Sequence, residues 1–295
     1  MLAEMPPKAC RQGVIMRQNS NDDGKGKVYV GSHGGDWAGE VRLLLDRAGL
    51  APVISGHRRL VLKPNLVEAA APPITTPVEL VAAVVDYLQA AAPQAEIIIA
   101  EGCGSKSYDT GHCFARLGYR ELATARGVGL VDLNHEPTVK LARADCRRWP
   151  EMHLPGLLFD SFLISLPVLK AHTLAKTTLT LKNMMGAAPP AHYQQGGNWK
   201  KASFHHEIQE AVADLNRYRC PDFTVLDATV GLAQSHLGGP PCDPPPGLLA
   251  ASFDAVAVDA YGAGLLGLDW REVDHICRLH GELGRAEPLQ IIECA

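Results

Sequence analysis

RLVLKPNLVEAAAPPITTPVELVAAVVDYLQAAAPQAEIIIAEG, from Arg59 to Gly102, is the stretch whose reading decides the fold. It opens with a short apolar run (59–63) stopped at Pro64 and ends with a β-branched run (96–102) stopped by glycine. Between them, apolar residues recur at helical spacing, and the start of that segment reads as a capping box. Thr76 is the N-cap, Pro77 the first helical residue, and Glu79 follows the cap by three positions. A strand, a helix and a second strand, with both strands almost continuously apolar, belong to a parallel sheet covered on both faces.

Working outward, 128–134, 161–167, 223–227 and 248–252 read as further buried strands. Helices are predicted near 109–126, over 204–219 and from Asp254 onward. The fold class is therefore α/β, a mostly parallel sheet with helices on both faces and a long functional loop at its carboxyl edge. The domain spans 28–285, as one body or two lobes. An N-terminal extension or edge hairpin (1–27) precedes it and a C-terminal tail (286–295) follows. The loop is 183–203, which has glycine, proline and polar residues but no period. Such a segment is a lid, a binding loop or a plain surface loop.

Composition narrows the function. With 295 residues, 46% of them hydrophobic, the chain can bury a large core. A formal net charge of -4 offers nothing to a nucleic-acid backbone. No run approaches the roughly 18 apolar residues that a membrane helix needs. The start MLAEMPPKACRQG has no apolar signal core and no twin arginine, so a cytoplasmic location is expected. None of the eight cysteines forms a C-x-x-C pair, so no iron–sulfur motif is written locally and reduced, buried thiols are expected. The partner expected is a small anionic ligand, with no nucleic acid and no membrane; association into a homo-oligomer is left open.

Ligands of open α/β sheets bind beyond the carboxyl ends of the strands. Those ends carry Lys63 and Asn65, Glu101 and Cys103, Asp132 and Asn134, Lys170 and His172, Asp227, and Asp254. Asp254 reads most simply as the N-cap of the helix it precedes, and Asp227 suits a turn cap. The fourth end opens into LKAHTLAKTTLTLKNMMG, with Lys170, Lys176 and Lys182 at six-residue intervals. In TTLTLKN the leucines alternate with Thr178, Thr180 and Lys182, which predicts an extended segment with these three on one face. Lys170, His172 and Lys182 then converge on an anion, while Lys176 is surface charge; solvent-facing lysines are the alternative.

The resulting expectation is an enzyme for a small carboxylate or phosphate. Lys170, His172 and Lys182 are the catalytic candidates, with His172 as general acid or base. A desolvated lysine beside other cations serves as a base or Schiff-base nucleophile. Lys63, Asn65, Glu101, Asn183, Gly186 and Asp227 are the substrate-binding candidates, with Glu101 holding a lysine or a metal. A second reading is a divalent-metal or metallocofactor enzyme, an oxidoreductase or racemase, with His192, His205 and Cys103 as ligands. A third is a non-catalytic module that binds or delivers a cofactor.

LKPNLV (62–67), ITTPVELV (74–81), IIIAEG (97–102), ISLPVLKAHTLAKTTLTLKNMMG (164–186), GGPP…GLLAASFDAVAVDA (238–260) and LLGL (265–268) together resemble the family catalogued as domain-of-unknown-function 362. The resemblance covers roughly 28–285. It implies a single α/β domain, often beside ferredoxin-like modules or behind an export signal, and brings no assigned reaction. Two positions depart from the family pattern: Ser165 stands where relatives commonly have asparagine, and Ala255 follows Asp254 in place of proline. Neither a cysteine-rich module nor a signal accompanies the domain here, so the electron-transfer role of fused relatives is not expected.

Overall fold

The computed structural model describes residues 24–294. Its strands are β1 (Lys27–Ser32), β2 (Arg59–Pro64), β3 (Glu96–Glu101), β4 (Gly129–Asp132), β5 (Thr138–Ala142), β6 (Glu151–Pro155), β7 (Phe162–Leu166), β8 (Val168–His172), β9 (Lys176–Thr178), β10 (Phe223–Leu232), β11 (Leu248–Ser252) and β12 (Gln290–Glu293). The main sheet runs β12-β1-β11-β10-β7-β2-β3-β4. From β10 to β4 every neighbour is parallel. β11 enters antiparallel between β10 and β1, and β12 closes the edge parallel to β1.

The pleat sorts the apolar runs onto two faces, because successive side chains of a strand point opposite ways. Leu60, Leu62, Ile97 and Ile99 pack with Leu44 and Leu45 of helix Trp37–Ala48 and with Val81, Val84 and Leu88 of helix Val78–Ala91. Val61, Ile98 and Leu163 face Val212 and Leu215 of helix Ile208–Tyr218 and Ile276 of helix Asp274–Leu279. Each such fully buried side chain stabilises the fold by roughly 1.5–3 kcal/mol. No helix among the described residues is long and apolar enough to cross a membrane.

Several local expectations change. Thr76 does not cap a helix: that helix starts at Val78 with Pro77 at its N-cap and no side-chain cap. The Thr76 hydroxyl instead donates to Leu166 O and accepts from Asn65 N, tying the ends of β2 and β7 together. The strand expected over 161–167 is interrupted at Pro167, and the chain continues as β8 alongside β10. The alternation in TTLTLKN yields only the short β9, after which Thr180–Asn183 is a helical turn. Asp259 explains the switch, because its buried carboxylate accepts from Thr180 N (2.8 Å) and Leu181 N (2.9 Å). Asp254 caps helix Ala255–Leu265 as expected.

The helix expected near 109–126 is two, Thr110–Arg116 and Tyr119–Arg126, separated at Gly118, whose φ is +81°. The stretch 183–203 is not structureless: it contains helical turns at Met184–Ala187, Pro190–Tyr193 and Ala202–His205. The expected tail supplies β12, so it is part of the sheet. Most of the expected N-terminal extension lies outside the described residues.

Candidate functional site

The site starts from a buried ion pair. Lys63, at the end of β2, reaches Glu101 at the end of β3 with Nζ 2.7 Å from Oε2, and both side chains are almost fully buried. The other Glu101 oxygen accepts from Gly102 N at 2.7 Å. Gly186 covers the pair so closely that a Cβ there would lie 1.9 Å from Glu101 Oε1 and 2.6 Å from Lys63 Nζ. Glycine is therefore the residue this position accepts. Burial pulls the Lys63 ammonium below its ordinary range, and the Glu101 carboxylate opposes that pull.

Two asparagines extend the pair into a network. Asn183 Oδ1 accepts from Lys63 Nζ (3.2 Å) and Asn65 Nδ2 (3.1 Å), while its Nδ2 donates to Lys63 O and to Ser165 Oγ. Ser165 thus meets an amide through its hydroxyl. Asn65 Oδ1 accepts from Lys170 Nζ at 2.6 Å, and Lys170 donates again to Ile74 O at 2.6 Å. An unbroken hydrogen-bonded path joins Glu101 to Lys170, and a network satisfied to that degree holds its members in one geometry.

Beside this network lies a cavity of about 380 Å³. Its cations are Lys170, Lys182 and Lys201, its histidines His172, His205 and His236, and Glu101 is its one carboxylate among the described residues. Trp199, Met185, Leu174 and Leu237 supply apolar wall. Lys182 projects from the turn held by Asp259, and its Nζ has no hydrogen-bond or ion-pair partner among the described residues. Burial lowers Lys182 to about 8. Lys170 falls to about 7 through burial and then the neighbouring Lys182 charge. Lys201 also falls to about 7 through burial, although it donates to Asn134 Oδ1 and Ala188 O.

His172 has a defined tautomer. Its Nδ1 lies 3.1 Å from both Leu174 N and Ala175 N, two donors, so Nδ1 accepts and the hydrogen sits on Nε2. Burial and then Lys182 hold the ring neutral, near 2. The ring stacks on His236 with centroids 4.0 Å apart. In this state His172 is a hydrogen-bond donor at Nε2. The same tautomer leaves Nε2 no lone pair for a metal.

Of the other expected residues, Asn65, Glu101, Asn183 and Gly186 line the cavity. Lys63 stands behind them, engaged by Glu101. Asp227 is not part of the wall: its Oδ1 accepts from Thr229 N and Thr229 Oγ1, capping its own turn. The expected ligands His192, His205 and Cys103 are not brought together. His205 lines the cavity, and His192 stacks on His153 with centroids 4.0 Å apart. Cys103 Sγ faces Tyr108 O and Lys200 Nζ. Asp109, Asp132 and His135 do lie close enough to share an ion, but Asp132 already accepts from Thr110 and Asn134 N, and Asp109 from Lys200. Lys176 is exposed.

Sequence reasoning missed Lys201 and His236. Lys201 sits in NWKKAS, inside the stretch read as loop, and a pair of lysines there carries no sign of burial. His236 is a lone histidine before a glycine–proline turn, and only the tertiary fold stacks it on His172.

A family model described as Domain of unknown function (DUF362) matches residues 60–264, which includes every cavity residue named above. No curated protein matches the chain.

Proposed function

Since the chain belongs to the DUF362 family, whose description assigns no reaction, we propose from the site itself that the protein is an enzyme for a small anionic substrate, a carboxylate or a phosphate. The observation that carries this reading is Lys182, a half-buried lysine whose Nζ has no partner among the described residues, facing a cavity it shares with Lys170 and Lys201. Glu101, the one carboxylate in that wall, is already neutralised by Lys63. An anion entering the cavity meets uncompensated positive charge in a partly apolar surrounding, where charge-assisted hydrogen bonds are stronger than in water.

Catalysis follows from protonation. Amines brought to about 7 or 8 exchange protons readily near neutral pH, as a general acid or base must. The neutral His172 supplies an Nε2–H donor for an oxygen that gains charge in the transition state. The anion is thus held by Lys182 and Lys201, the proton is carried by Lys170, and the developing oxyanion meets His172.

Calorimetric titration of the purified protein with phosphate, oxalate, malonate and pyruvate at neutral pH tests the reading. At least one anion is expected to bind at one site per chain, and Lys182→Met to weaken it by about tenfold or more, equivalent to about 1.4 kcal/mol. No binding of any of the four, or equal binding by Lys182→Met, would remove the proposal.

A further inference from the structure

The cavity carries three amines of unequal circumstance, and the inequality assigns them different roles. Lys170 and Lys201 each donate to two fixed oxygen acceptors, Asn65 Oδ1 and Ile74 O for the first, Asn134 Oδ1 and Ala188 O for the second. A lysine converted to an imine keeps at most one N–H, so condensation at either would leave a buried oxygen without its donor. Lys182 has no acceptor to abandon among the described residues. It shares the cavity wall with His172, a neutral imidazole whose hydrogen is fixed on Nε2 by two backbone donors at Nδ1. Such a donor suits the oxygen of a carbonyl that becomes an oxyanion on attack.

Resting on the anion-binding reading above, we infer that Lys182 forms an imine with the keto carbon of a short 2-oxo acid, whose carboxylate is held by Lys201. The Lys182 lone pair forms the C–N bond while the carbonyl π pair moves onto oxygen, toward His172 Nε2–H. Lys170 carries a proton from nitrogen to that oxygen, the carbinolamine loses water, and the C=N bond closes. Amine and ketone give imine and water, with no change of oxidation state and no further reactant. Trp199, Met185 and Leu174 receive the acid's short carbon chain. The protonated imine is an electron sink beside Lys170, so the chemistry open to the bound acid is proton removal or carbon–carbon bond cleavage next to the former carbonyl.

Hydride trapping reads the adduct directly. The full chain is incubated with glyoxylate, pyruvate, 2-oxobutyrate or 2-oxoglutarate and sodium cyanoborohydride, then analysed by intact mass and peptide mapping. The expected result is one adduct per chain, with the mass of the oxo acid less one oxygen atom, on the peptide carrying Lys182 and saturable with acid concentration. Lys182→Met and Lys182→Arg should fall to the level of the sample without hydride. Folding of both is checked by circular dichroism. No adduct from any of the four acids, or adducts spread over surface lysines or placed on Lys170 or Lys201, would overturn the inference. Oxalate bound by the wild type without any trapping overturns the imine alone, whereas no trapping together with no binding of phosphate, oxalate, malonate or pyruvate overturns the anion reading as well.

Discussion

Lys63, fully buried, and Lys182, half-buried, are lysines at the carboxyl edge of one sheet, yet they stand in opposite electrostatic situations. Lys63 donates to Glu101, to Asn183 and to a backbone oxygen, so its charge is compensated by the protein. Lys182 has no partner among the described residues and faces an open cavity. The difference teaches that burial alone does not define a functional lysine. A compensated ion pair stiffens the site and holds its amides, whereas an uncompensated ammonium waits for a charge from outside.

Breaking the compensated side should have the largest effect. Lys63→Met leaves Glu101 ionised and unpaired at a buried position, and should lower unfolding free energy by about 3–5 kcal/mol in urea titrations. Removing both partners, as in Lys63→Met with Glu101→Met, should recover part of that loss. A single variant as stable as the wild type would mean the pair is not buried as described.

Gly186→Ala comes next. The added methyl must displace Glu101 or Lys63, because the space is occupied at 1.9 and 2.6 Å. Overpacking of this kind costs about 1–3 kcal/mol. The same urea titration should show the loss, and an unchanged midpoint would contradict the packing.

The uncompensated side should respond the other way. Lys182→Met removes a half-buried charge with no partner among the described residues, so stability should be unchanged or raised while anion affinity falls. A Lys182→Met protein that is destabilised as much as Lys63→Met would erase the contrast between the two lysines.

The same three lowered amines also make stability depend on pH. Lys170, Lys182 and Lys201 are lowered to about 7, 8 and 7 from the ordinary 10.5. Above the lowered values the unfolded chain binds more protons than the folded one, so stability should rise with pH from about 7 toward the ordinary lysine range. Below about 7 both states are protonated and this contribution is flat. A urea midpoint that falls across pH 7–9 would contradict the assignment.

Much of this was legible in the sequence, and the limits have physical causes. Apolar runs ended by charged or amide residues located Asn65, Glu101, Lys170 and Asn183 at one sheet edge, because parallel strands deliver their carboxyl ends to the same place. Lys182 was placed on the right edge but in the wrong conformation. Its turn is set by Asp259, whose bonds to Thr180 N and Leu181 N span 79 and 78 positions, and local alternation cannot report bonds of that span. Thr76 failed as a cap for the same reason, its hydroxyl being taken by Asn65 and Leu166. The tautomer of His172 depends on a tight turn to Leu174 and Ala175 that no residue pattern announces.

The most direct test of the contrast between the two lysines is calorimetric binding of oxalate from pH 6.5 to 9.5 with wild type and Lys182→Met (about one and a half units on either side of the shifted lysine). Wild-type affinity should be greatest at the acid end and fall as pH rises through about 7 and 8, where Lys201 and then Lys182 lose their charge. The variant should bind weakly throughout. Affinity that is independent of pH and the same in both proteins would contradict that contrast.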